Sequence, residues 1–143
     1  MSDASNYLEE RTLDFWLKAN SQTTTAPATV YLALFTSDDS AGATAENLEA
    51  GTLTNEVSTS GTAYARQTVT FGTISNGSVS TNANVTFPTA TANFGTISHV
   101  AVTDSATAGA GNVLFYGDLT STKTIETGDT FQITSGNLTI TLA

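Results

Sequence analysis

The hydrophobic pattern of the chain changes period once, near its start. Between residues 6 and 20 the large side chains recur at helical spacing. Leu8, Thr12, Phe15, Trp16 and Ala19 share one face, and Leu13 and Leu17 widen it past a half-turn. Glu9, Glu10, Asp14 and Lys18 occupy the remainder. Asn6 is the expected N-cap, with Glu9 completing a box-like arrangement, and Asn20 suits a left-handed C-terminal cap. Such a helix of about 14 residues spans ~21 Å and is marginal alone in water, so it must dock on something. Packing on the chain's own sheet is the first expectation. An arm that grips a neighbouring subunit is the alternative, favoured by the polar NSQTTTAPAT tether that follows.

From residue 28 the period is that of strands. Residues 28–36, ATVYLALFT, are apolar on both faces, as in a central strand. Residues 63–71 alternate, with Tyr64, Arg66, Thr68 and Thr70 set against Ala65, Gln67, Val69 and Phe71. A weak polar strand at 78–82 leads to Val85 and Phe87, where Pro88 removes a backbone donor and stops the ladder. Residues 97–102 are again apolar on both faces and predict a second central strand. Strands follow at 112–119 and 123–126, and TFQIT-SG-NLTITL reads as a terminal hairpin of 130–134 with 137–142. The one interruption is 37–61, a long polar stretch anchored by Leu48 and Leu53, where 43–50 suit a short helical turn. The expected fold is therefore mainly β: an antiparallel β-sandwich or barrel of about seven to nine strands with one N-terminal α-helix. We expect a single domain over residues 1–143, with the helix or arm at 1–20, the tether at 21–27 and the sandwich at 28–143.

Composition narrows the function classes. Thirteen acids against four bases give a net charge of −9. The bases Arg11, Lys18, Arg66 and Lys123 are scattered, which disfavours a nucleic-acid partner. Without cysteine there is no thiol nucleophile and no thiolate metal site. The N-terminus has neither a basic nor an apolar signal region, and the longest apolar run, at 30–35, is far short of the roughly 20 residues of a membrane helix. The expected location is the cytoplasm where the protein is made, or the outside as part of an assembly.

Candidate chemistry is sparse. His99 is the sole histidine, flanked by Ser98 and followed by Asp104. Neighbours on a strand point to opposite faces, so Ser98 and His99 are not expected to pair. Asp38 and Asp39 form an adjacent acidic pair after a strand, and with Glu46 they lack the spacing of a calcium loop. Gly109-Ala110-Gly111 joins two strands and opens no helix, so it is no phosphate cradle. Arg66, inside a strand pattern, suits a cross-strand ion pair or an interface contact. No cofactor and no metal is expected. The contact candidates are Tyr7, Leu8, Phe15 and Trp16 of the helix with Asp38, Asp39, Glu46 and Glu49 of the acidic stretch.

The order of segments carries a resemblance. TVYLALFTSD, GTAYARQTVTF, ANVTFPTATANFGTISHVAV, GNVLFYGDLTSTKTIETGDTFQI and NLTITLA, led by YLEERTLDFWL, are similar to a family of short bacteriophage virion proteins commonly labelled tail-fibre-like. The likeness runs from about Tyr7 to Ala143 and is loosest at 38–61. It implies a small, mainly β structural subunit of the virion, with no catalytic residues. Its implied partners are the major capsid protein or tail proteins and copies of itself, with no nucleic acid and no membrane. Within that class a capsid decoration (cement) protein is the first expectation, because the chain is short and lacks a shaft-forming repeat. A tail or fibre component is the second, and a host-surface carbohydrate-binding module the third.

Overall fold

The computed structural model describes residues 3–18, 25–36 and 43–142. Among the described residues the elements are β1 (Asp3–Ala4), α1 (Asn6–Leu17), β2 (Val30–Thr36), α2 (Ala43–Glu49), β3 (Gln67–Val69), β4 (Ser78–Ser80), β5 (Val85–Thr86), β6 (Gly95–Thr103), β7 (Val113–Ile125), β8 (Gln132–Ile133) and β9 (Thr139–Thr141). Every pairing is antiparallel. Five strands form one sheet in the order β1-β7-β6-β2-β3, and β4-β9 and β5-β8 form two short ladders.

The two strands that are apolar on both faces lie side by side at the centre of the sheet, as their composition predicts. Alternation along β2 divides the core. Leu32 and Leu34 face a cluster with Val69, Val85, Phe87, Phe94, Val100, Val102, Phe131 and Ile140, which joins the large sheet to both ladders. Ala33 and Phe35 face the other side, where Leu48 of α2 and Leu53 cover them. Tyr64 stacks on Phe87 at 6.1 Å and meets Phe94 edge-on, giving the larger cluster an aromatic centre. Each fully buried Leu, Ile or Phe contributes roughly 1.5–3 kcal/mol relative to an exposed one. Because β1 and β3 remain as sheet edges, the layers form an open sandwich and not a closed barrel.

Four local expectations need correction. The helix is capped by Ser5, not Asn6: its side chain accepts from the Leu8 N–H, and its hydroxyl donates to the Val113 carbonyl. In 63–71 only Gln67–Val69 pair as a strand. Tyr64 and Arg66 turn inward, the phase slips at Gln67, and Val69 takes the inward position next. The strands expected at 112–119 and 123–126 are one strand, β7. Ile97 pairs with Lys123 and His99 with Asp118, so residues 119–122 bulge opposite the single residue Ser98.

The terminal hairpin does not form. β8 pairs with β5 and β9 with β4, so residues 132–141 run as one kinked arm antiparallel to residues 78–86. Ser135-Gly136 supplies the kink: Gly136 has φ 85° and donates to the Thr81 carbonyl at 2.8 Å, while Ser135 N–H donates to Asn84. Turn residues mark a change of direction without fixing its size. α2 forms over Ala43–Glu49, where the short helical turn was expected.

Candidate assembly surface

The N-terminal segment is anchored at its root. β1 pairs with β7 through Asp3 opposite Tyr116 and Ala4 opposite Phe115. Ser5 follows, fully buried, with its N–H on the Leu114 carbonyl at 3.0 Å. Tyr7 and Leu8 then pack against the larger core, and the Arg11 guanidinium lies 5.5 Å from the centre of the Tyr7 ring. Beyond this first turn the helix leaves the sheet. Leu13 is 57% exposed, Phe15 56%, and Trp16 and Leu17 76% each. Phe15 and Trp16 meet edge to face at 5.3 Å, and Lys18 pairs with Asp14 at 2.6 Å, which raises the lysine pKa.

The predicted contact residues therefore separate into groups. Tyr7 and Leu8 serve the root, whereas Phe15 and Trp16 face outward. Glu46 and Glu49 are exposed on α2. Glu49 reaches the neighbourhood of the root: burial raises the Tyr116 phenol pKa, and the carboxylates of Glu49, Asp3 and Glu9 push it further. Asp38 and Asp39 lie outside the described residues.

Along β7 past the root, the two layers part. Phe115, Leu119, Phe131, Ile133 and Leu138 line an open groove of about 520 Å³, with Asp118 and Lys123 in its wall. The bulge at 119–122 forms part of that wall. Aromatic and branched side chains thus remain partly uncovered at the edge of the main core.

One polar pair was misjudged from sequence. Ser98 and His99 do bond, Oγ to Nδ1 at 2.8 Å, because the bulge suspends strand alternation at that point. Ser98 is only 6% exposed, so its hydroxyl offers no approach to a substrate. Asp104 is committed elsewhere, accepting from the Asn112 N–H and side-chain amide. Burial holds the His99 pKa below 6.5 against the opposing pull of Asp118.

Arg66 does form an ion pair, but a buried one. Glu56 accepts from its Nε at 2.7 Å and its Nη2 at 2.8 Å. The Glu56 carboxylate also takes the Tyr64 hydroxyl and the Gly109 N–H. Glu56 lies in the long polar stretch of residues 37–61. The ion pair expected of Arg66 left its carboxylate unnamed, and Glu56 supplies it from ten positions earlier. Among the described residues no three His, Asp or Glu side chains cluster as metal ligands, and no helix is long and apolar enough to cross a membrane.

A family model described as "Podophage GP4 fiber I protein gp80" matches residues 3–141. No curated protein matches the chain.

Proposed function

The chain belongs to the family of the podophage GP4 fiber I protein gp80, a phage fibre family with a structural role in the virion, and on that premise we propose that it is a subunit of a tail fibre. The family match over residues 3–141 carries the reading. It favours the tail over the capsid decoration role expected from chain length. In this role the β-sandwich is a rigid body, and the outer half of α1 is the surface that joins it to another virion protein. Leu13, Phe15, Trp16 and Leu17 are the observation behind that second statement, since large apolar side chains gathered on one exposed element mark interaction sites.

The test is placement on the particle. Gold-labelled antibody against this chain should decorate the tail in electron micrographs. Quantitative mass spectrometry should give a copy number that tracks the tail appendages. Label spread over the capsid, with a copy number that follows the capsid lattice, would restore the decoration role. The exposed Phe15–Trp16 pair also gives the carbohydrate-binding reading a specific feature, because aromatic faces stack on sugars. Retention on a glycan array, abolished by Trp16→Ala, would favour that reading.

A further inference from the structure

We propose that the groove at the β7 edge receives the outer half of α1 from a second copy of this chain. The inference rests on reading α1 as the attachment element and adds what it attaches to.

The helix supplies one half of the contact. Leu13, Trp16 and Leu17 stand at i, i+3 and i+4, the spacing by which an amphipathic helix anchors itself in a groove. All three are more than half exposed, so among the described residues nothing covers the ridge. An aromatic side chain buries roughly 150–250 Å² when it finds a site, which makes Phe15 and Trp16 the largest uncommitted apolar surfaces of the helix.

The groove supplies the other half. Phe115, Leu119, Phe131, Ile133 and Leu138 give it apolar walls, edged by polar side chains such as Thr120, Gln132 and Asn137. Its volume of about 520 Å³ falls among pockets of ~300–1,000 Å³ that enclose whole small molecules, so bulky side chains fit. Charge agrees as well. Lys123 in the groove wall is one of only four bases, and the helix carries Glu9, Glu10 and Asp14 beside its apolar ridge. The same wall holds Asp118 and the ridge ends in Lys18, paired with Asp14, so each surface carries both signs and Lys123 is the base that the helix acids meet.

The helix cannot fill its own groove. Ser5 is buried and holds the root in three ways: its N–H on the Leu114 carbonyl, its hydroxyl on the Val113 carbonyl, and its Oγ accepting from the Leu8 N–H. A helix is stiff over three turns, so this clamp fixes the direction of Leu13–Leu17 relative to the sheet. Swinging the outer half into the groove would break the cap and expose Tyr7 and Leu8. A second copy meets no such constraint, and it carries the matching element by construction. The contact joins different patches on the two molecules, so two copies exchanging helices close a dimer, and further copies close a ring or extend a row. Exchange also doubles the buried area toward the roughly 800 Å² per partner of stable interfaces.

The experiment uses the full chain, which has no native cysteine to interfere. Leu17→Cys and Thr120→Cys are made as separate proteins, mixed and oxidised. We expect a disulfide-linked band of two chains that dominates the mixture and is weak for either protein alone. The double-cysteine chain should give the same intermolecular product. A fast-migrating, internally bridged monomer would mean that the helix reaches its own groove, and it would overturn the proposal. Light scattering gives the second arm. The wild-type chain should self-associate, whereas Trp16→Glu and Lys123→Glu should each shift the equilibrium toward monomer at unchanged melting temperature. Both substituted side chains are exposed, so the fold tolerates them. A wild-type chain that stays monomeric to ~1 mM, or an effect of Trp16→Glu without one of Lys123→Glu, would also overturn it. A capsid position for the label would sink the fibre reading and leave this solution contact intact. A monomer with tail label would do the reverse.

Discussion

The guanidinium of Arg66 has no contact with solvent, and each of its donating nitrogens has an acceptor. Nε and Nη2 grip Glu56, while Nη1 donates to Thr103 Oγ1 and to the carbonyls of Ser105 and Ala110. One side chain thus ties the segment after α2 to β6 and to the loop of residues 105–111. Removing one partner of a buried pair leaves an uncompensated charge, so Arg66→Met should lower stability by about 3–5 kcal/mol in urea unfolding. The double variant Arg66→Met/Glu56→Leu should recover part of that loss. If the double is as damaged as the single, the packing of the arginine stem matters more than its charge. His99 gives a pH prediction at the same scale. Its folded pKa lies below 6.5, chiefly through burial, so the unfolded chain binds the proton first as pH falls. Stability is therefore full above about pH 6.5 and declines as pH drops below it, until the folded form is also protonated. Melting temperatures of wild type and His99→Gln between pH 7.5 and 5.5 test this. A slope of equal size in the two proteins would remove His99 from the account.

At the level of elements, α1 is two structures in one helix. Its first turn belongs to the core and the rest does not. Ser5→Ala should lower stability by about 0.5–2 kcal/mol through the lost cap, and by more through the lost bond to Val113. A triple change of Phe15, Trp16 and Leu17 to Ser should alter stability by only ~0.5 kcal/mol per site, as for other exposed positions. Equal damage from the two variants in the same denaturation series would show that the outer half is packed after all. The sequence showed the helix and its apolar face, because a 3.6-residue period is local. It could not show where the docked part ends, since that depends on Val113 and Leu114, more than a hundred positions away. The same divide holds elsewhere. The central strands were legible from Leu32–Phe35 and Ile97–Val102, whose composition reports burial directly. The Ser135-Gly136 kink read as a hairpin because turn chemistry is local, while the choice of partner belongs to Thr81 and Asn84. The Ser98–His99 bond was missed for a related reason: the bulge that permits it is created by Leu119–Thr122 on another strand.

For the whole molecule, one cluster joins the large sheet to both ladders, so the layers should stand or fall together. Phe87 is 1% exposed at the point where Tyr64 and Phe131 meet it, and Phe87→Ala should remove about 3–5 kcal/mol. Far-UV and near-UV circular dichroism should still report one coincident transition. Two separated transitions would mean that the ladders melt independently of the sheet. The candidate assembly surface was half legible at this scale. Of the helix residues singled out as contacts, Phe15 and Trp16 face outward while Tyr7 and Leu8 serve the root, and the groove depends on how far β7 and the C-terminal arm stand apart. That arm has a consequence for synthesis. Ile140 is buried in the main core, and Thr139–Thr141 pair with Ser78–Ser80, some sixty positions earlier. The ribosome must therefore release almost the entire β region before the core can close. Until then the nascent chain displays Val100, Val102 and Phe87 uncovered, a state prone to aggregation.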